Sequence, residues 1–117
     1  MLVVDDDRDI RDVLTDALEA EGYRVITAPD GQEALDWLRA STVRPCVILL
    51  DLMMPRMDGL QFRTEQLNEP SFAAVPVIVL SADPSVIATA KSLNFAGSLR
   101  KPVPLEALLA AVHAHCA

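Results

Sequence analysis

The chain has little of several residue types that mark particular protein classes. Its 117 residues include two cysteines, and aromatic residues make up 4%. Cys46 and Cys116 match neither a disulfide framework nor a metal-ligand spacing, which argues against a cysteine-rich secreted scaffold and a zinc module. Cys46 lies in an apolar run and is predicted to be a small core residue. The cytoplasm is therefore the default compartment.

Long apolar runs and an excess of basic charge are also missing. No run approaches the roughly 20 apolar residues that cross a bilayer, and no basic segment precedes an apolar one as in a signal peptide. The net charge is −7, so we expect no direct nucleic-acid contact by this segment and no membrane association. A composition of 51% hydrophobic and 23% charged residues is that of an ordinary globular chain with one core.

Short apolar runs alternate with amphipathic stretches from one end of the chain to the other. The runs predict strands at residues 2–4, 24–28, 46–50 and 77–80, with a short fifth strand at Leu99. A helix is expected after each strand. The predicted buried face of the first helix contains Ile10, Val13 and Leu14. The fourth helix is predicted to begin after a cap at Asp83 and Pro84, with Val86, Ile87 and Ala90 on its buried face. The buried face of the fifth helix is predicted to contain Leu105, Leu108, Leu109 and Val112.

Five successive strand–helix units without polar alternation in the strands indicate a parallel sheet that is buried on both faces. No second domain or repeat is apparent, so residues 1–117 are predicted to form one α/β domain. Ligands of such sheets bind beyond the carboxyl ends of the strands. The first strand is followed by Asp5, Asp6 and Asp7, the third by Asp51, the fourth by Ser81 and the fifth by Lys101.

Converging carboxylates carry a physical cost that points to a cation. Two unit charges about 4 Å apart repel by roughly 4 kcal/mol at an effective dielectric constant near 20. If Asp5, Asp6 and Asp51 meet, their oxygens favour a hard ion, Mg²⁺ or Mn²⁺. One carboxylate can then act as a nucleophile on phosphorus, with Ser81 and Lys101 suited to balance charge on the phosphoryl oxygens. Asp7 is predicted to cap the first helix.

The residues named so far resemble the receiver domain of two-component response regulators, the family of the single-domain chemotaxis regulator. The matching pieces are Val3 to Asp6, the stretch LDLMMPRMDG from Leu50 to Gly59, Ser81-Ala82 and Lys101-Pro102. Their order and separations fit over essentially the whole chain. The resemblance implies a flavodoxin-like, doubly wound, five-stranded parallel sheet of order 2-1-3-4-5 with five helices.

The resemblance also implies a role for each residue of the site. Asp51 would accept a phosphoryl group from a phosphohistidine on a sensor histidine kinase or a histidine phosphotransfer protein. Asp5, Asp6, Asp51 and the backbone carbonyl of Met53 would hold Mg²⁺, and Ser81 and Lys101 would contact the phosphoryl group. Such a domain catalyses its own phosphorylation and slow dephosphorylation and is otherwise not an enzyme. A cis peptide bond before Pro102 is also favoured.

Two departures from the family pattern concern signal output. Ser98 occupies the position, three residues before the lysine, where the family often has the aromatic residue of its switch. The segment from Ser81 to Lys101 is slightly short, so the fourth predicted helix is expected to be reduced. The face formed by that helix, the fifth strand and the fifth helix is the expected output and homodimer face, with an unknown output partner.

Two other functions compete with a phosphorylation switch. Asp5 to Asp7 formally contain the D-x-D motif of a phosphatase of the haloacid dehalogenase type, although Arg8 and Asp9 then follow and Asp51 would lack a role. The second competing function is that of a degenerate receiver that serves only in protein interaction. Ser98 in place of the aromatic residue favours it, and the presence of all the residues needed for phosphorylation argues against it. Asp5 and Asp6 by themselves could also be acids that favour the start of a helix.

Overall fold

The structure is a computed structural model that describes residues 1–54, 56–83, 85, 88 and 93–116. Its five strands form one sheet in the order β2-β1-β3-β4-β5, and every neighbouring pair is parallel. The predicted strand order is therefore confirmed. The strands are β1 (Leu2–Val4), β2 (Ile26–Ala28), β3 (Ile48–Asp51), β4 (Val77–Ser81) and β5 (Gly97–Arg100).

Four helices flank the sheet within the described residues: α1 (Arg8–Ala20), α2 (Gly31–Ala40), α3 (Gly59–Leu67) and α4 (Leu105–Cys116). The helix predicted between β4 and β5, with Pro84, Val86, Ile87 and Ala90, lies outside the described residues. The described helices thus number one fewer than the five predicted. No helix in this part of the chain is long and apolar enough to cross a membrane.

Aspartate side chains begin three of these helices, each at the residue before the first helical turn. The carboxylate of Asp7 accepts hydrogen bonds from the backbone N–H groups of Asp9 and Ile10, as predicted for a cap. Asp30 accepts from Glu33 at the start of α2, and Asp58 and Gln61 form a capping box at α3. Each carboxylate satisfies a backbone donor that has no partner within the helix. These caps fix where the chain turns from the sheet edge into a helix.

The core consists of two layers, one on each face of the sheet. Alternate residues of β1 point to opposite layers: Leu2 and Val4 join one with Leu35, Leu38 and Phe62, and Val3 joins the other with Leu14, Leu18, Leu108 and Val112. All three β1 residues are fully buried, which explains their lack of polar alternation. Burying such an aliphatic side chain contributes about 1.5–3 kcal/mol, so the two layers hold the helices on the sheet.

Two residues predicted to face the core lie on the surface instead. Val13 is 66% exposed and Leu105 is 54% exposed, although their spacing places each beside an apolar helix face. On α1 the buried positions are Leu14 and Leu18. The part of the helix surface that contacts the sheet is therefore narrower than the apolar face predicted from the sequence. The sheet meets a helix along one line of contact, and residues at the margin of the stripe remain in solvent.

The prediction for the two cysteines was wrong. Cys46 and Cys116 form a disulfide, with their Cα atoms 5.4 Å apart and a sequence separation of 70. Cys46 is exposed, just before β3, rather than part of the core. The bond joins the amino end of β3 to the last turn of α4, two segments that only the fold brings together. The cytoplasm was predicted on the assumption that the cysteines are unpaired, so the disulfide removes that argument for a cytoplasmic location.

Candidate functional site

The three candidate metal ligands lie at the carboxyl ends of the adjacent strands β1 and β3. Val4 pairs with Leu50, so the next residues, Asp5 and Asp51, leave the two strands side by side. Carboxylate oxygens of Asp5, Asp6 and Asp51 lie within 4.8 Å of one another. Asp5 and Asp51 are buried, whereas Asp6 is exposed. The acids predicted to converge from distant parts of the sequence therefore form one cluster that solvent reaches from the side of Asp6.

Lys101 follows β5 and points into this cluster from the other side of β4. Its Nζ lies 2.8 Å from Oδ2 of Asp5 and 3.4 Å from Oδ2 of Asp51. The Lys101 backbone N–H donates to the Ser81 carbonyl at 2.9 Å, which continues the pairing of β5 with β4. The bond between Lys101 and Pro102 is cis, as predicted. One ammonium group thus bridges two buried carboxylates.

Backbone N–H groups hold the other oxygen of each buried carboxylate. Oδ1 of Asp51 accepts from the backbone of Met53 at 3.0 Å, and Oδ1 of Asp5 accepts from Asp7 at 2.9 Å. The guanidinium of Arg11 donates to the Asp5 carbonyl at 2.7 Å. The carboxylates are consequently fixed in orientation by the turns that leave the strands. Because these carboxylates are already oriented, they lose little conformational entropy when a reacting group binds.

The environment of Asp51 disfavours its ionised form. The pKa of this carboxyl is raised from 3.8 to about 6, chiefly by burial and further by the neighbouring charge of Asp5, while the hydrogen bond from Met53 acts to lower it. Lys101 acts in the opposite direction. For Lys101 itself, burial lowers the pKa, but the hydrogen bond to Asp5 and the charges of Asp5 and Asp51 raise it above its usual value. The ammonium group therefore stays protonated at neutral pH.

The donor set fits a hard divalent cation. Three carboxylates lie together and one ammonium group contacts two of them, and the charge of Asp5 adds to the effect of burial in raising the pKa of Asp51. Carboxylate and carbonyl oxygens are the ligands of Mg²⁺, which keeps several waters and needs few protein ligands. The Met53 side chain is 66% exposed, and its backbone N–H donates to the Asp51 carboxylate. Asp5, Asp6 and Asp51 can therefore hold such an ion, and the Met53 carbonyl is the further ligand that the family resemblance implies.

Ser81 and Ser98 are placed differently with respect to the cluster. Ser81 ends β4 and is 1% exposed. Its hydroxyl donates to the Asp83 carbonyl at 3.1 Å and accepts from the Asp83 N–H at 3.1 Å, so a contact with a phosphoryl group requires a side-chain rotation. Ser98 is exposed on β5 and pairs with Val79. It lies below the strand ends and outside the cluster of acids.

One prediction concerns the charge balance of the cluster. Lys101→Met removes the hydrogen bond and the positive charge that lower the pKa of Asp51, so that pKa is expected to rise by about one further unit. Carboxyl ¹³C NMR titration in the presence of EDTA measures it directly. Arg100→Met removes an exposed charge one residue earlier and serves as the control. An unchanged Asp51 titration in Lys101→Met would contradict the ion pair.

One contact near the cluster was not predicted from the sequence. The guanidinium of Arg56 forms an ion pair with Asp30, at the start of α2. Arg56 lies within the stretch LDLMMPRMDG, which is the only signal that could have drawn attention to it. Its partner, Asp30, is 26 residues earlier in the chain.

Comparison with known proteins agrees with this geometry. The family model described as the response regulator receiver domain matches residues 1–113. Response regulator MprA of Mycolicibacterium vanbaalenii is 42% identical over 116 residues, which are 97% of this chain and 48% of that protein. The MprA protein of Mycobacterium avium is also 42% identical, with 49% of its length covered. The chain thus spans about half the length of these curated relatives.

Solved structures show the same fold over nearly the whole chain. The chemotaxis protein CheY4 of Vibrio cholerae matches with a TM-score of 0.87 and 31% identity, covering 97% of this chain and 95% of that one. A putative response regulator of Chloroflexus aurantiacus matches with a TM-score of 0.88 and 26% identity, covering 97% and 93%. With its sheet order and its cluster of acids, this chain belongs to the response regulator receiver domain family of two-component signalling.

Proposed function

We propose that the chain is a phosphorylation-dependent switch in which Asp51 accepts a phosphoryl group with Mg²⁺ as cofactor. The observation that carries the proposal is the position of Asp51 beside groups of opposite charge. Oxygens of Asp5 and Asp6 lie within 4.8 Å of an oxygen of its carboxylate, and the Lys101 ammonium, which also contacts Asp5, lies 3.4 Å away. A carboxylate that is buried, partly neutralised and accessible beside Asp6 is suited to attack phosphorus.

The transfer itself forms one bond and breaks another. A carboxylate oxygen of Asp51 bonds to phosphorus while the bond from phosphorus to the donor's imidazole nitrogen breaks, and the electron pair of that bond stays on the imidazole. When bound, the cation would neutralise charge on the phosphoryl oxygens. Lys101 is within reach of both Asp51 and those oxygens, and Ser81 can donate its hydroxyl hydrogen after rotation. Positioning and charge balance supply most of the catalysis in such transfers.

Acetyl phosphate tests the function without a partner protein. We expect intact-mass measurement after incubation with Mg²⁺ to show one added phosphoryl group, and acid-quenched peptide mapping to place it on Asp51. EDTA should abolish it. No adduct, together with no Mg²⁺ binding at millimolar concentration, would favour the interaction module without phosphorylation. An adduct on Asp5 instead would favour the D-x-D phosphatase alternative.

The phosphodonor we propose is a phosphohistidine on a sensor histidine kinase or a histidine phosphotransfer protein. An apolar groove of about 290 Å³ beside the site supports a protein donor. Ile10 and Val13 of α1 line it together with Pro102 and Val103, and Lys101 is also part of its lining. Because Lys101 belongs to both the groove and the cluster, a protein seated in this groove would lie beside the site.

A variant of the groove separates a protein donor from a small molecule. Val13→Asp is expected to slow transfer from a phosphorylated donor protein by about tenfold, a loss of about 1.4 kcal/mol of binding. Phosphorylation by acetyl phosphate should not change. Val43→Asp, on an equally exposed valine (69%) before β3, is the matched control. Equal rates for both variants with the donor protein would exclude this groove as the docking surface.

The remaining parts of the proposed function concern the setting of the switch. We propose that residues 1–117 act as one cytoplasmic receiver domain that turns over no separate substrate beyond its own phosphorylation and dephosphorylation. Its output is proposed to pass through the face formed by the predicted helix between β4 and β5, by β5 and by α4. A homodimer through the same face is proposed, and Ser98, exposed on β5, would lie in it.

A further inference from the structure

The loop between β3 and α3, residues 52–58, is tied to a neighbouring helix by a charged contact. Arg56 forms an ion pair with Asp30, whose residue exposure is 2%, while the arginine side chain is 69% exposed. Burial raises the pKa of Asp30, but hydrogen bonds from the Glu33 backbone and Arg56 bring it below its usual value. The carboxylate is therefore ionised at neutral pH, and Arg56 is its cationic partner.

The backbone at this point adopts a conformation that needs support from its surroundings. Arg56 has a φ of 61°, in the left-handed region that costs a non-glycine residue about 1 kcal/mol or more. The next residue contacts the start of α2, where the Gly31 N–H donates to the Met57 carbonyl at 3.3 Å. A Cβ atom on Gly31 would lie 2.9 Å from the Met57 carbonyl oxygen. The loop therefore sits directly against the first turn of α2.

The same loop is also fixed against β3, the strand that carries the phosphoacceptor. The Gly59 N–H donates to the Leu52 carbonyl at 3.2 Å. A Cβ atom on Gly59 would approach the Asp51 carbonyl oxygen to 2.7 Å, so only glycine allows this closeness. Between its two ends the loop carries Met53, whose N–H binds the Asp51 carboxylate. Arg56 follows Met53 by three residues in the same loop, so a contact that holds Arg56 limits how far Met53 can move.

We propose that the Arg56–Asp30 ion pair is a clamp that holds the β3–α3 loop in the position where the Met53 carbonyl and the Asp51 carboxylate can bind a divalent cation together. The clamp rests on the proposed function, because it acts on the same cation site. Arg56 and Asp30 are positioning residues. Neither belongs to the cluster of carboxylates that could hold the ion.

The clamp and simple electrostatics predict opposite changes in Mg²⁺ affinity when the charge of Arg56 is removed. This difference makes the clamp testable. Removing a positive charge near a cation site should strengthen Mg²⁺ binding or leave it unchanged. Removing a contact that positions the ligands should weaken it. An exposed ion pair that contributes only to stability is worth about 0–1 kcal/mol and should leave the dissociation constant unchanged.

Four substitutions and one control examine the clamp. Arg56→Gly removes the ion pair and tolerates a positive φ, whereas Arg56→Ala removes the pair and keeps the backbone cost. Arg56→Lys keeps the charge, and Asp30→Asn keeps an oxygen that can cap α2. Arg39→Ala is the control, because Arg39 of α2 forms a comparable ion pair with Glu69 of the segment after α3.

We expect isothermal titration calorimetry to show three- to tenfold weaker Mg²⁺ binding for Arg56→Gly and Asp30→Asn, with partial recovery in Arg56→Lys. Arg39→Ala should bind like the wild type at a similar melting temperature. The double variant Arg56→Gly/Asp30→Asn should bind Mg²⁺ no more weakly than the weaker-binding of the two single variants, because both substitutions remove the same contact. Without metal, amide exchange at Met53 and Met57 should be faster in Arg56→Gly.

The outcomes distinguish failure of the clamp from failure of the proposed function. Wild-type protein that does not bind Mg²⁺ would overturn the proposed function and the clamp together. Wild-type binding with equal or tighter binding by Arg56→Gly would overturn the clamp alone. Should Arg56→Gly not fold, Arg56→Lys and Asp30→Asn make the same comparison. Unchanged affinity in both of these would also reject the clamp.

Discussion

Asp51→Asn is expected to abolish the phosphoryl adduct formed with acetyl phosphate and Mg²⁺. The amide has the shape of the carboxylate and still accepts the hydrogen bond from Met53, but it lacks the negatively charged oxygen that attacks phosphorus. Intact-mass measurement after acid quenching gives the result. Asp7→Asn, which changes a capping acid of the same kind near the cluster, should be phosphorylated like the wild type. A full adduct on Asp51→Asn would show that another residue is the acceptor.

The same substitution is expected to stabilise the metal-free fold at high pH. The pKa of Asp51 rises from 3.8 to about 6 on folding, so the folded state favours the protonated carboxyl. Its contribution to stability is present below about pH 4 and is lost as the pH rises through about 6. Asparagine does not titrate. At pH 8 the free energy of unfolding should therefore exceed that of the wild type by about 3 kcal/mol, with a smaller difference at pH 4.

Urea unfolding at pH 4 and pH 8 in EDTA measures this difference. Adding Mg²⁺ at pH 8 should stabilise the wild type and narrow the gap, because the ion binds only the native cluster. An equal pH dependence for the wild type and Asp51→Asn would mean that burial does not raise the pKa of this carboxyl. The adduct measurement and the stability measurement are independent, so each can fail alone.

Reduction of the Cys46–Cys116 disulfide is expected to produce the largest loss of stability. The bond closes a loop with a sequence separation of 70, and a loop of that length restricts the unfolded chain by about 4 kcal/mol. For a domain of this size, the melting temperature should fall by about 15 °C. Calorimetry with and without dithiothreitol measures the shift, and thiol titration of the unfolded protein confirms the redox state.

The double variant Cys46→Ser/Cys116→Ser is the control for the disulfide. It should melt near the reduced wild type and should not respond to dithiothreitol. Neither cysteine is among the buried residues of the two core layers, although Cys116 packs against one of them, and the cluster of acids contains no cysteine. The reduced protein should therefore keep its fold at 25 °C. Two free thiols in the native oxidised protein, or no shift on reduction, would contradict the bond.

The sequence determined the sheet and most of the residues of the candidate site. Continuous apolar runs in β1, β3 and β4 required burial on both faces, because a strand with a solvated face would alternate. The chain order then placed Asp5, Asp6, Asp51, Ser81 and Lys101 at strand ends, where parallel strands finish at one edge. The helix cap at Asp7 followed from local hydrogen bonding. Periodicity and capping depend on neighbours in sequence, so they can be read without the fold.

Only the tertiary structure decided the contacts between residues far apart in the chain. Cys46 was predicted to be a core residue, and its bond to Cys116 exists because the start of β3 and the end of α4 meet at one edge. The Arg56–Asp30 ion pair depends on how closely α2 packs on the β3–α3 loop. The exposure of Val13 depends on where the contact between α1 and the sheet ends. Packing geometry decides these features, and no local pattern encodes the distance between two segments 26 or 70 residues apart.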